Sequence, residues 1–194
     1  MAGDGHRLEM YADEADPQEA QRGRRIAEEA PAPRVAIPVG KNYTPKRYPA
    51  DLTAKLILEL RTRGLNPVLT AGPGEEKLAE NVLREGVDVP VLYDARIPTL
   101  AGAYRVCDLF VGPDSAPKHV AGACGLPTVT LFALGRPTAW NDPEDPRQLV
   151  LMVPCDLRPH CDPSRCESER HFRRLDPVFV AEQSWTHWQR TRDR

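Results

Sequence analysis

From Arg34 onward, short apolar runs alternate with stretches of helical period, and that alternation leaves few folds open to the chain. Val35–Val39, Pro67–Thr70, Val89–Leu92, Leu109–Val111, Thr128–Phe132 and Gln148–Val153 read as six strands. Between them, Asp51–Arg63 carries Leu52, Leu56 and Leu60 at helical spacing, and Gly64 ends it. A second helix opens at Glu75 and Glu76, where acids suit the positive dipole end, with Leu78, Val82 and Leu83 on its apolar face. Thr99–Val106 and His119–Cys124 are the next two, and Pro177–Arg190, with Val178, Phe179, Trp185 and Trp188, is a closing helix. Strands separated by helices cannot pair as hairpins. They imply an α/β fold, a doubly wound parallel sheet with helices on both faces.

Size allows one such domain with a full core, because 194 residues are too few for two of ordinary size. Residues Met1 to Pro33 stand apart, with eight acids against four arginines and few large apolar side chains. They form an acidic linker or arm, either flexible or a solvated helix such as Pro17–Glu29. Residues 34–194 are then the sheet domain with its C-terminal helix. A net charge of −2 gives no reason to expect nucleic-acid or membrane binding beyond peripheral contact. No run approaches the roughly 20 apolar residues of a membrane span. The acidic N-terminus lacks the apolar core of a signal peptide, and five cysteines are an odd number, so a reduced cytoplasmic protein is expected.

In an open parallel sheet the loops leaving the C-terminal ends of the strands share one edge, and ligands bind there. The first such loop carries Lys41, Lys46 and Arg47, and the second Gly72, Gly74, Glu75 and Glu76. The fourth carries Asp114 and Ser115, and the fifth Gly135, Arg136 and Thr138. The turn at Gly112-Pro113, followed by two residues of helix-capping type, delivers a polar loop onto a helix start. Helix starts attract anions through unpaired N–H groups and the dipole; here the donors are Ser115, Ala116 and Lys118, since Pro117 has none. Cations, glycines, a helix start and a carboxylate on one rim suit a phosphate joined to a hydroxyl-bearing group. Each residue also has a plainer role: lysine and arginine in loops are mostly solvated, Glu76 is favoured at a helix start, and Asp114 is a natural N-cap. His119 either reaches a phosphate oxygen or fills space behind the loop.

Other chemistries lack their motifs. There is no phosphate-binding Gly-x-x-x-x-Gly-Lys-Ser/Thr, no Gly-x-Gly-x-x-Gly after the first strand, and no Gly-x-Ser-x-Gly elbow. Cys155, Cys161 and Cys166 lie near His160 and His171, but the cysteines lack the close pairs of structural zinc sites, so no metal is expected.

The run Asp114-Ser115-Ala116-Pro117-Lys118-His119-Val120-Ala121, then Gly125-Leu126-Pro127, Leu131-Phe132, Pro137 and Trp140, resembles the signature of glycosyltransferase family 9. These are the heptosyltransferases that build the lipopolysaccharide core of Gram-negative bacteria. The resemblance spans about residues 34 to 180 and implies the C-terminal, Rossmann-like half of a GT-B glycosyltransferase, which holds the nucleotide-sugar donor, ADP-heptose in the best-known members. Lys46-Arg47-Tyr48-Pro49 is similar to the family's Lys-x-Trp-Pro, whose lysine neutralises the donor diphosphate. Glu76, or its neighbour Glu75, stands where the family has an acid on the ribose hydroxyls. Asp114 would orient the donor sugar, and Ser115 with the helix start would hold phosphate. Ala116 stands where the family has glycine.

Gly5-His6-Arg7-Leu8-Glu9-Met10-Tyr11 is similar to the segment leading out of the family's N-terminal domain. That implies a chain starting at the linker, with the acceptor-binding half and its general base supplied by another polypeptide. The expected function is donor binding for inverting sugar transfer to a glycan or lipopolysaccharide-core acceptor, by electrostatic stabilisation that needs no cofactor or metal. The alternatives are a non-catalytic nucleotide-binding or scaffold protein derived from the fold, and, less favoured, a sugar-nucleotide epimerase.

Overall fold

The computed structural model describes residues 10–40, 47–133, 137–139, 141–152 and 171–192. Six strands, β1 (Arg34–Pro38), β2 (Asn66–Thr70), β3 (Val91–Leu92), β4 (Leu109–Pro113), β5 (Thr128–Phe132) and β6 (Gln148–Met152), form one sheet. The order is β3-β2-β1-β4-β5-β6, and every neighbouring pair is parallel. The helices are α1 (Ala12–Ala15), α2 (Pro17–Ala27), α3 (Ala50–Thr62), α4 (Glu76–Leu83), α5 (Ile97–Tyr104), α6 (Ala116–Ala123) and α7 (Pro177–Thr191).

Alternation along each strand divides the core in two. Val35 and Ile37 of β1, Leu109 and Val111 of β4, and Val129 and Leu131 of β5 face α3, α4 and α7. Ala36 and Phe110 point the other way, into a cluster with Ala27 of α2, Leu100 and Tyr104 of α5, and Val120 and Ala121 of α6. On α3, Leu56, Ile57 and Leu60 are at most 1% exposed, and burial of each contributes about 1.5–3 kcal/mol. The doubly wound sheet is as expected.

Three elements differ from the hydropathy pattern. β4 runs on through Gly112 and Pro113, which register with Thr130 and Leu131 of β5, so the two residues are strand rather than turn. A Cβ on Gly112 would lie 2.6 Å from the Pro38 ring, so only glycine lets the ends of β1 and β4 approach this closely. On α7, Val178 and Phe179 are exposed; Pro177, Val180, Ala181, Ser184, His187 and Thr191 form the buried stripe. A helix buries one face, and side-chain size does not choose which.

The third is α2. Asp16 caps it through the Glu19 N–H at 3.2 Å, and Pro17 sits in its first turn. It packs on α5 through backbone: a Cβ on Gly23 would lie 2.0 Å from the Thr99 carbonyl, and one on Gly102 would lie 2.0 Å from that of Ala20. Part of the acidic N-terminal segment is thus built onto the sheet domain.

Candidate functional site

The connections reverse direction between β1 and β4, the topological switch point of an open α/β sheet. β1 registers with β2 over five residues, Arg34 to Pro38, but with β4 over only Val35–Ala36 against Leu109–Phe110. The crevice at the ends of β1 and β4 is where such folds bind ligands.

From β4, Pro113 leads through Asp114 and Ser115 directly into α6, an eight-residue helix. Ser115 occupies the N-cap position in extended conformation, yet its hydroxyl donates to the Pro113 carbonyl at 3.2 Å and makes no cap bond. The Lys118 N–H donates to the Ser115 carbonyl at 3.0 Å, so of the three expected backbone donors this one is engaged within the turn. Ala116 is the first helical residue and is exposed. Among the described residues only Asp94 is a non-glycine with positive φ, so alanine at 116 needs no left-handed backbone.

Charge gathers on this helix start. His119 Nε2 lies 3.9 Å from Asp114 Oδ1, with the histidine side chain 38% and the aspartate 12% exposed. Lys118 is buried, and burial lowers its pKa while Asp114 pulls it back up. A carboxylate, a buried ammonium and an imidazole around one helix N-terminus can bind an anion and orient a hydroxyl-bearing group.

The β2–α4 turn is built differently. Glu75 Oε2 accepts the Gly72 N–H at 2.8 Å, and Glu76 Oε1 accepts the Gly74 N–H at 3.3 Å. Each acid closes its own loop, and Glu75 is half-buried while Glu76 is exposed.

The β1–α3 loop is described at its two ends. Gly40 has φ +95°, and a Cβ there would sit 2.9 Å from Arg47 Cγ, so the loop closes over a glycine. Tyr48 is buried, donates its hydroxyl to the Leu175 carbonyl at 2.7 Å, and meets Phe172 edge to face at 5.8 Å. Arg173 pairs with Asp51 at 2.9 Å, so the segment before α7 pins the start of α3. A cleft of about 410 Å³ opens between Arg47–Asp51 and residues 78–85, on and just past α4; it is not lined by Asp114 or Ser115. Lys41, Lys46, Gly135, Arg136, Trp140, Cys155, His160, Cys161 and Cys166 lie outside the described residues, as does the 5–9 segment.

The family model "Glycosyltransferase family 9 (heptosyltransferase)" matches residues 5–166. The chain belongs to glycosyltransferase family 9. The lipopolysaccharide heptosyltransferase 3 of Escherichia coli K12 is 34% identical over 101 residues, which is 50% of this chain and 29% of the relative. Among solved structures, E. coli ADP-heptose lipopolysaccharide heptosyltransferase II aligns with a TM-score of 0.69 at 17% identity, over 90% of this chain and 52% of that one. E. coli heptosyltransferase WaaC with ADP aligns with a TM-score of 0.64, over 85% of this chain and 48% of that one. The chain therefore spans about half the length of these two solved GT-B heptosyltransferases and shares with them one Rossmann-like α/β sheet.

Within the family segment, the structure brings Asp114, Ser115, Ala116, Lys118 and His119 together on one turn. Glu75 and Glu76 lie at the same sheet edge on the second loop. Tyr48, named in the Lys46–Pro49 motif, anchors its hydroxyl on the Leu175 carbonyl. Sequence reasoning missed the link between α2 and the β3–α5 turn. Arg22 on α2 and the Tyr93–Asp94 turn are joined by hydrogen bonds that run to the ligand edge. No helix among the described residues is long and apolar enough to cross a membrane.

Proposed function

We propose that this chain binds the nucleotide-sugar donor of a family 9 glycosyltransferase, as one half of an inverting, heptosyltransferase-like enzyme. The observation that carries this is the Asp114–His119 turn: a helix start ringed by a carboxylate, an imidazole and a buried ammonium at the switch point. In that role the α6 dipole and Lys118 offset the charge of the leaving diphosphate, and Lys46 adds a second cation. Asp114 orients the sugar, and Glu75 or Glu76 takes the ribose hydroxyls. The solved WaaC relative holds ADP, which supports an ADP-linked donor. Residues 34–194, with α2 docked on them, are the donor domain in this proposal. The base that activates the acceptor, a glycan or lipopolysaccharide core, comes from a second domain facing the site, on the cytoplasmic side of the membrane.

Calorimetry with ADP-, UDP- and GDP-linked sugars on wild type and Lys46→Ala tests the binding. The variant is expected to lose on the order of 2 kcal/mol, about thirtyfold in affinity. Unchanged binding would overturn the phosphate role of Lys46. The companion assay mixes the purified chain with ADP-heptose and a deacylated lipopolysaccharide core. Acceptor-dependent ADP release by the 194 residues alone would refute the half-enzyme proposal and put the base in this chain, with Asp114 the first residue to replace.

A further inference from the structure

We propose that Arg22 on α2 is a positioning residue for the nucleoside end of the donor site, acting through the β3–α5 turn; this rests on the donor-binding proposal above. The Arg22 guanidinium donates to the carbonyls of Tyr93 and Asp94, both at 3.1 Å. Those carbonyls belong to the turn that leaves β3 at the ligand edge of the sheet. Asp94 has φ +46°, a left-handed conformation that a side chain adopts at a cost and that persists where its surroundings hold it. Arg22 is such a holder.

Arg22 is itself oriented. Glu19 accepts from its Nε at 3.1 Å and its Nη2 at 2.8 Å, and the Thr99 hydroxyl donates to the same carboxylate at 2.6 Å. These two partners hold the Glu19 carboxyl below its usual range, Arg22 more than Thr99. A planar fork can serve two carbonyls and a carboxylate at once, where an ammonium cannot.

Beyond the clamp the contacts continue into the acid-bearing loop. The Ala95 N–H donates to the Ala71 carbonyl at 2.9 Å, and the Ala95 carbonyl lies 3.9 Å from where a Cβ on Gly72 would stand. Gly72 is the residue whose N–H Glu75 holds. A series thus runs from Glu19 and Arg22 through Tyr93–Asp94 and Ala95 to the Ala71 carbonyl, and along the chain from Ala71 to Gly72 and Glu75. Tyr93 and Ile97, exposed at the β3–α5 connection, add apolar surface at the same sheet edge, which suits a nucleoside. α2 meets α5 through Gly23 and Gly102, and the Arg22 side chain, 29% exposed, reaches past that contact to the β3–α5 turn.

The test titrates ADP and inorganic pyrophosphate separately into wild type, Arg22→Ala and Arg22→Lys, with the melting temperature of each. Arg22→Ala is expected to weaken ADP about tenfold and to leave pyrophosphate within about twofold, because the phosphate end at α6 is not on the series. Arg22→Lys should recover only part of the loss. Unchanged ADP affinity, or equal losses for ADP and pyrophosphate, would overturn the proposal. If Arg22→Ala does not fold, Glu19→Gln loosens the same clamp and must show the same selective loss of ADP. A wild type that binds neither probe refutes the donor-binding proposal itself, and so is distinct from a failure of Arg22 alone.

Discussion

The turns leaving β2 and β4 end at the same edge and each opens a helix, but they treat their own polar groups in opposite ways. After β2, Glu75 and Glu76 fold back onto the N–H groups of Gly72 and Gly74, so the loop satisfies itself and shows carboxylate to solvent. After β4, the Ser115 hydroxyl turns back to Pro113 and Lys118 is buried, while Asp114 lies near His119. A self-closed acidic loop suits hydroxyl groups, and a helix start with a cation suits phosphate. In the proposed function one edge serves both ends of a nucleotide, which requires the two turns to stay unlike.

The largest test of that difference is steric. Gly112→Ala puts a Cβ 2.6 Å from the Pro38 ring beneath the β4 turn, and about 2–3 kcal/mol of stability should be lost in urea denaturation. Gly74→Ala in the β2 turn meets nothing within 4 Å and bears only the strain of φ +78°, about 1 kcal/mol. Equal losses would mean that the two turns are held with the same tightness.

Lys118→Met separates stability from binding. Burial lowers the Lys118 pKa below its unfolded value of 10.5, so the unfolded chain holds this proton more tightly. The cost to the fold is therefore full below the lowered pKa, shrinks as pH rises through the window up to 10.5, and is gone above it. Methionine should stabilise the protein by about 1 kcal/mol near neutral pH and remove that rise of stability toward alkaline pH. The same variant should bind donor more weakly, since the cation beside the helix start is gone. Loss of stability near neutral pH would show that the ammonium is a structural anchor.

The smallest effect is expected at Ala116→Gly. Alanine is already helical there, so glycine should leave donor affinity unchanged and cost a few tenths of a kcal/mol in the helix. Tighter binding would mean that the bound turn needs a backbone only glycine supplies.

Hydropathy and turn residues located nearly every element, because burial of one face imposes a period on the chain. Leu52, Leu56 and Leu60 of α3 are buried as their spacing requires, and Gly125, in the left-handed conformation, stands just past α6 as a stop. Those signals are local. The docking of α2 was not legible, because its contact is made by Gly23 against the Thr99 backbone, and a glycine carries no hydropathy. Nor was the buried face of α7, where Val178 and Phe179 are outside and Ser184 and His187 inside.

By itself, then, the sequence determined the alternation of strands and helices, the parallel sheet, and which residue types gather at its ligand edge. The motif around Asp114 also carried the family. Tertiary structure alone decided the strand order that sets the switch point between β1 and β4, and the direction in which each polar side chain turns. Glu75 could reach a ligand or its own Gly72 N–H, and Ser115 could cap α6 or bond Pro113; spacing allows both in each case. Hydrogen bonds depend on distances and angles set by the packed neighbours, whereas periodicity records only which face is buried.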